Sequence, residues 1–401
     1  MMLLELQMMT SQIHKNLIAT CPMCSSPLKF KNKNSLLENE LDLKCTKCDS
    51  TYSFKNGYLN LLPPKIRKEI CTRGILERKI KDKFGMGQLS KNEQDLVKGI
   101  LASKYMAKQY FRNVVHPTQA AWSARSYERF EDIFIANYLD NLLKNMQVTF
   151  IDAGSGPGRY LLLLGSKISI NSCKELKRNS ETAGLYKYDE MYDKNLRNII
   201  GIDYSEEMTY HSTRLLKKYG LGQYLNKRIF PITGIIQNFN LNQQELDRTH
   251  KVIVCTFQTL GNQENMDLQV QLLESMKKLA LPHGTILVSV FNKKLFKDFG
   301  LKTFYGREVK QTVGEIINSK QDQNNSILRT KKGIYSKWFS KDDLEQLFKK
   351  AKISNYKIMD ENSLQPVTNY EQYLKIEEQR KDVFPRAIIG VAQIGQKDHL
   401  G

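Results

Sequence analysis

The spacing of apolar positions changes twice along this chain. Near the N-terminus they alternate with polar residues over short runs, Leu41-Asp42-Leu43-Lys44 and Thr51-Tyr52-Ser53-Phe54, the period of half-buried strands. Between about Asn92 and Met146 the period becomes helical, with Tyr127, Phe130, Ile133, Phe134, Tyr138 and Leu142 on one face. Beyond that point short β-rich runs alternate with helical stretches. Val148 to Ile151 leads to a helix from Arg159 to Ser166, and Asn198 to Ile202 leads to a helix that begins after Ser205. Lys251 to Thr256 is followed by a helix from Met266 to Leu279 and a strand from Thr285 to Phe291. Ser340, with Asp343 at the box position, starts one more helix, and Ala387 to Ile394 predicts a last strand. This alternation predicts an α/β fold built on a Rossmann-like, doubly wound sheet.

The strand ends carry candidate chemistry. The first long strand runs into Asp152-Ala153-Gly154-Ser155-Gly156-Pro157-Gly158, a glycine turn that delivers the chain to a helix start, as in parallel sheets that bind a nucleotide at the carboxyl ends of their strands. Gly154 and Gly156 let the backbone approach a ligand where a side chain would collide. The next strand ends at Asp203, whose carboxylate is suited to accept both hydroxyl hydrogens of a ribose. Asp203 lies 51 residues after Asp152, where about twenty is usual, so an insertion intervenes. The polar stretch 172–197 is its place, expected to loop out beside the ligand.

Four cysteines stand as Cys21-x-x-Cys24 and Cys45-x-x-Cys48. Paired turns of this spacing close a tetrahedral, structural Zn2+ site, and a piece of about sixty residues needs such a metal to offset its thin core. A pair of disulfides is the competing reading. The small zinc ribbon is expected to have a core separate from the rest of the chain. Cys71, Cys173 and Cys255 show no such pairing and read as incidental or core thiols.

The 401 residues predict two or three domains: the ribbon over 1–64, a basic linker or helical segment over 65–100, and the α/β domain over 101–401 with insertions near 172–197 and 293–338. With 41% apolar and 26% charged residues the chain is not disordered as a whole. No apolar run is long enough for a membrane span, and Met1 to Thr10 lacks the basic leader and small-residue cleavage site of a secretory signal, so a cytoplasmic location is expected. The net charge of +19 is partly background, but Lys65 to Lys83 holds eight Lys or Arg against three acidic residues. A nucleic acid could dock there; a solvated helix face is the alternative.

From about Ser123 to Gln396 the order of parts resembles the class I S-adenosylmethionine-dependent methyltransferases. Asp152-Ala-Gly-Ser-Gly-Pro-Gly158, Gly201-Ile-Asp-Tyr-Ser-Glu-Glu-Met208, Leu279-Ala-Leu-Pro-His-Gly284 and the capped Phe339-Ser-Lys-Asp-Asp-Leu344 carry the resemblance. It implies S-adenosylmethionine as cofactor, with Gly154, Gly156 and Gly158 around its methionine part and Asp203 on its ribose. Asp152 would orient the loop or bind the amino group through water. Where that family often has an acidic residue near adenine, Pro231 to Gln237 offers neutral groups, with Gln237 the candidate.

The ribbon, continued by Tyr52-Ser-Phe-Lys-Asn-Gly57-Tyr58-Leu-Asn-Leu-Leu-Pro63, resembles the front of bacterial ribosomal-RNA guanine-N1 methyltransferases and the activator subunit of eukaryotic transfer-RNA and protein methyltransferases. That favours RNA as acceptor; a packing module is the bland reading. The loop after the fourth strand, Thr256-Phe-Gln-Thr-Leu-Gly-Asn262, lacks the Asn or Asp, two prolines and aromatic residue common in base-amine methylation and looks more like loops of small-molecule N-methyltransferases. Asn262, Gln258 and Asn292 could bond a polar acceptor and Phe257, Phe304 and Tyr305 wall it off, so Asn262, Gln258 and Tyr305 are the candidate catalytic residues and a small polar acceptor stands ahead of RNA. Arg307 and Arg329 would serve an anionic acceptor or simply face solvent. A nicotinamide-dependent oxidoreductase is the runner-up for this fold, although its loop is spaced G-x-G-x-x-G, and a non-catalytic binding module is a third reading.

Overall fold

The computed structural model describes residues 19–30, 40–62, 122–172, 187–239, 249–297, 316–330, 335–359 and 387–395. The ribbon contributes β1 (Leu28–Phe30), β2 (Glu40–Cys45), β3 (Thr51–Lys55) and β4 (Tyr58–Asn60). A long helix α1 (Trp122–Leu143) leads into β5 (Val148–Ala153), α2 (Arg159–Lys167), α3 (Glu190–Asn195) and β6 (Leu196–Asp203). Then come α4 (Glu206–Lys218), β7 (Ile229–Thr233), β8 (His250–Cys255), α5 (Met266–Ala280) and β9 (Gly284–Phe291). A short α6 (Lys320–Asn324) and the hairpin β10 (Ile327–Arg329) and β11 (Tyr335–Lys337) precede α7 (Lys341–Lys350), β12 (Tyr356–Met359) and β13 (Ala387–Ile394).

Eleven of the described strands form one sheet in the order β1-β2-β3-β4-β7-β6-β5-β8-β9-β13-β12. From β4 to β9 every neighbour is parallel; β13 and β12 close one edge antiparallel. After the ribbon strands the chain enters the middle of the parallel part at β5, winds outward to β7, then returns to β8 and β9 on the other side, which is the doubly wound topology expected of the sequence. Helices cover both faces. Leu139 and Leu143 of α1, Leu161 to Leu164 of α2 and Leu216 of α4 pack with Val148 and Phe150 of β5. On the opposite face Leu272, Leu273 and Met276 of α5 and Leu344, Leu347 and Phe348 of α7 pack with Ile151, Ile253 and Ile286. Strands buried on both sides read as continuous apolar runs, which is why β5 and β9 are buried throughout. Ser340 caps α7 with Asp343 in a complete capping box, as its sequence spacing implies.

The structure corrects one expectation and bears on part of a second, whose residues 173–186 lie outside the described ones. The ribbon does not have a separate core: β4 pairs in parallel with β7, Leu59 beside Ile232 and Asn60 beside Thr233, and ribbon residues Leu43, Leu59 and Leu61 share one apolar cluster with Ile200, Ile202 and Phe230. An unpaired edge strand on either unit would leave a row of open hydrogen-bonding groups, and joining the two edges satisfies both. The described end of the insertion near 172–197 does not lie beside the glycine loop. α2 runs back from that loop, so the chain reaches the opposite end of the sheet, where Asp189 N–H bonds the Lys167 carbonyl and Tyr192 of α3 donates to Asp140 of α1.

Candidate functional site

The carboxyl ends of β5, β6, β7, β8 and β9 bring Asp152, Asp203, Thr233, Thr256 and Asn292 to one edge of the sheet. The glycine turn leaves β5 with Gly154, Gly156 and Gly158 all at positive φ, which ordinary side chains rarely tolerate. Two of the three are also required by close neighbours: a Cβ on Gly154 would strike Thr259, and one on Gly158 would strike Ser212 of α4. Gly156 differs. A Cβ there meets nothing within 4 Å, so its backbone borders open space at the mouth of the turn.

Asp203 ties the turn to the next helix. Its Oδ2 accepts the Gly156 N–H at 2.8 Å and its Oδ1 accepts the Ser205 N–H at 2.8 Å, leaving further lone pairs on both oxygens. Burial pushes its pKa up to about 6, against the pull of those two donors. Asp152 is buried deeper. Burial raises its pKa to about 8; the Arg159 guanidinium opposes the rise, and the charges of Asp203, Glu131 and Asp132 add to it.

Sequence reasoning missed Glu131, Asp132 and Arg159. Arg159, the residue after the third glycine, pairs with the buried Glu131 carboxylate of α1, and its Nε lies 3.5 Å from Asp132 Oδ1. The same guanidinium donates to Tyr160 at 2.7 Å and stands 5.7 Å from the centre of the Phe257 ring. The other oxygen of Glu131 accepts the Phe257 N–H at 2.9 Å, so one carboxylate joins the glycine turn to the loop after β8. An arginine at the helix start and adjacent acids within an otherwise apolar helical pattern were the available signals. Tyr204 was missed too: 40% exposed beside Asp203, it offers a flat surface at the strand end.

The loop after β8 is held tightly. Phe257 and Gln258 both take positive φ, 46° and 69°, a costly conformation for two successive side-chain-bearing residues. Gln258 is buried and its amide is committed to the scaffold: Nε2 donates to the Lys337 carbonyl and to Ser336 Oγ at 3.2 Å, and Oε1 accepts the Phe291 N–H at 2.7 Å. It thus fastens β11, from the insertion near 293–338, over the loop, aided by the Lys337 N–H bond to the Gly261 carbonyl at 2.9 Å. This geometry gives Gln258 a fastening place rather than one facing an acceptor. Asn262 is half-buried at the end of the loop, and Asn292 caps the turn after β9 through the Lys294 N–H. Gln237 sits half-buried in the single 3-10 turn Ile236–Asn238 that follows β7 on the same edge. Arg329 pairs with Asp322 at 2.8 Å on the surface. Tyr305, Phe304, Arg307, Cys71, Cys173 and the basic run from Lys65 to Lys83 lie outside the described residues.

At the other end of the ribbon the sulfurs of Cys21, Cys24, Cys45 and Cys48 all lie within 4.8 Å of one another. Cys21 and Cys48 are 3.5 Å apart and Cys24 and Cys45 3.4 Å, close to the edge of a tetrahedron about a zinc ion. The Lys47 and Cys48 N–H groups point at Cys45 Sγ from 3.3 and 3.5 Å, donors that would steady a thiolate. Cys24 and Cys48 are both lowered from the usual thiol range, chiefly by hydrogen bonding with Ser26 and Ser50, while burial pushes Cys21 up to about 11. Four thiols converging with N–H donors fit a closed Zn2+ site. Cys255, buried in the main core, has its thiol pushed up by burial and shows no such environment.

No family model and no curated protein matches the sequence. Solved structures do match. They include a S-adenosylmethionine-dependent methyltransferase from Clostridium acetobutylicum, 14% identical over 67% of this chain and 92% of the other, with a TM-score of 0.37. Another is the plantazolicin methyltransferase BpumL bound to a triazolic analogue and SAH, 15% identical over 82% of this chain and 98% of the other, TM-score 0.42. A third is the magnesium protoporphyrin IX methyltransferase of Synechocystis, 10% identical over 78% and 100%, TM-score 0.38. What the site does chemically follows from this chain's own residues.

Proposed function

We propose that the chain is a methyltransferase that takes a methyl group from S-adenosylmethionine. The observation that carries this reading is the charge around the glycine turn: Asp152, Asp203, Glu131 and Asp132 converge with one arginine, Arg159. A nicotinamide dinucleotide would bring two phosphate charges into that field and be repelled. S-adenosylmethionine brings a sulfonium and an ammonium, which the surplus carboxylates favour. Gly156 borders the space the cofactor fills, Asp203 takes the ribose hydroxyls and Tyr204 gives adenine a face. Gln237 is the candidate for the adenine edge. When bound, the sulfonium supplies an activated methyl group, so the protein's task is to align the nucleophile behind it and to exclude water.

The acceptor is a small polar molecule in this reading. Its support is the loop after β8, which lacks the Asn or Asp, two prolines and aromatic residue common in base-amine methylation and is fastened to β11 through Gln258. Asn262 would orient it and Gln258 holds the loop that presents Asn262; Tyr305, outside the described residues, stays a candidate from the sequence alone. The four cysteines hold one structural Zn2+.

Two experiments test this. Titration calorimetry should show SAH binding that Gly156→Leu abolishes, because its side chain fills the open space; nicotinamide binding in place of SAH would refute the cofactor. For the acceptor, Asn262→Ala should lower turnover tenfold or so, by loss of an orienting bond, while neutralising Arg67, Lys68, Arg78 and Lys79 leaves turnover unchanged. Salt-sensitive methyl transfer to ribosomal RNA, lost on that neutralisation, would make RNA the acceptor instead.

A further inference from the structure

The ribbon is fastened to the residue that begins α4. Tyr58 of β4 donates its hydroxyl to Glu206 Oε1 at 2.9 Å, and Lys55 of β3 pairs with the same oxygen. Around this point the hairpin between β3 and β4 receives Lys217 Nζ on the Asn56 carbonyl at 3.2 Å and Asn226 Nδ2 on the Gly57 carbonyl at 3.0 Å. The Leu61 N–H then bonds the Thr233 carbonyl at 2.7 Å, continuing the β4 to β7 pairing past its last residue. Glu206 follows Ser205, the cap of α4, whose N–H is one of the two backbone donors to Asp203. One helix start therefore receives the ribbon on its outer side and orients the Asp203 carboxylate on its inner side.

The path from the cysteines to this point is covalent and hydrogen-bonded throughout. Cys45 is the last residue of β2, whose Leu43 stands beside Tyr52 of β3, and the Tyr52 hydroxyl lies 3.3 Å from Cys21 Sγ. β3 in turn pairs with β4, Lys55 beside Tyr58, so both groups that hold Glu206 sit side by side on the hairpin the cysteine cluster supports.

We propose that Tyr58 and Glu206 are positioning residues for the cofactor and that the metal at Cys21, Cys24, Cys45 and Cys48 sets cofactor affinity through them. This rests on the cofactor assignment above. The ribbon fixes where α4 begins, that start fixes Ser205, and Ser205 with Gly156 fixes the carboxylate that receives the ribose. Without the ribbon's hold, Asp203 samples rotations that no longer present both oxygens, and only the competent fraction binds.

The test is SAH binding by calorimetry at 25 °C on the full chain, with zinc content and circular dichroism recorded on each sample. Tyr58→Phe keeps the ring and removes one hydrogen bond; it should weaken SAH binding roughly fivefold with zinc content and spectrum unchanged. Glu206→Gln should do the same, and removing zinc with a chelator should weaken binding at least as much. In Tyr58→Phe, chelation should cost less than in the parent, because that link is already cut; a merely stabilising ribbon would give additive losses. Equal SAH affinity in Tyr58→Phe, Glu206→Gln and parent overturns the proposal, whatever chelation does. Parent protein that holds zinc yet fails to bind SAH at all overturns the cofactor assignment and this proposal with it.

Discussion

Replacing Cys45 by serine, or stripping the metal, should lower the melting temperature of the entire described fold by about 10 °C or more, in a single transition. Metal binding at four thiolates is folding free energy for a ribbon too small to bury much surface. That energy does not stay in the ribbon. β4 completes the hydrogen bonding of β7, and Leu59 and Leu61 pack in the same cluster as Ile200, Ile202 and Phe230. Loss of the ribbon strips one edge of the parallel sheet and exposes apolar surface that was core. Calorimetric scanning of zinc-loaded and metal-depleted protein decides the matter: two separate transitions, with the upper one unmoved by metal, would mean that the shared sheet carries no shared stability.

Cofactor affinity should rise steeply with pH between about 6 and 8 and level off above. Burial holds Asp152 at about 8 and Asp203 at about 6, so in the empty site at pH 6 Asp152 is protonated and Asp203 half so. A cation bound beside them favours their ionised forms, so protons leave as the ligand enters, and each proton released makes affinity change by up to about tenfold per pH unit. The stability of the empty protein should follow the opposite trend. A carboxyl whose pKa is raised on folding stabilises the fold fully below its unfolded value of 3.8, and that contribution is lost as pH rises through the folded value. Stability without ligand should therefore decline from about pH 4 to pH 8, and SAH should stabilise most at the upper end. Calorimetry in buffers of different ionisation heat counts the protons; Asp152→Asn should flatten the dependence between pH 7 and 8, and a flat profile in the parent would show that no carboxyl near the turn titrates on binding.

The fold was legible because its determinants are local and periodic. β5, β6, β8 and β9 announce themselves as β-rich runs, α7 by Ser340 and Asp343, and the glycine turn by a spacing that only a backbone approaching something closely requires. The same holds for the thiols of Cys21, Cys24, Cys45 and Cys48, since a two-residue gap already aims both members of a pair at one point.

What the sequence withheld lies in contacts between distant segments. Nothing local says that Glu131 meets Arg159, 28 residues away, or that the same carboxylate reaches Phe257, 126 residues on. Gln258 looked like an acceptor-facing amide from its place after a strand; the fold turns it toward Phe291, Ser336 and Lys337, because two positive φ angles swing that loop under β11. Gly158 belongs to the glycine turn by its spacing, but that the approach of Ser212 on α4, together with a positive φ, forbids a side chain there is visible only in the fold. The ribbon's cysteine pairs are aimed at one point by local spacing alone, whereas its union with the sheet came from two strand edges whose hydrogen-bonding needs are non-specific in sequence and are met only once both units have folded.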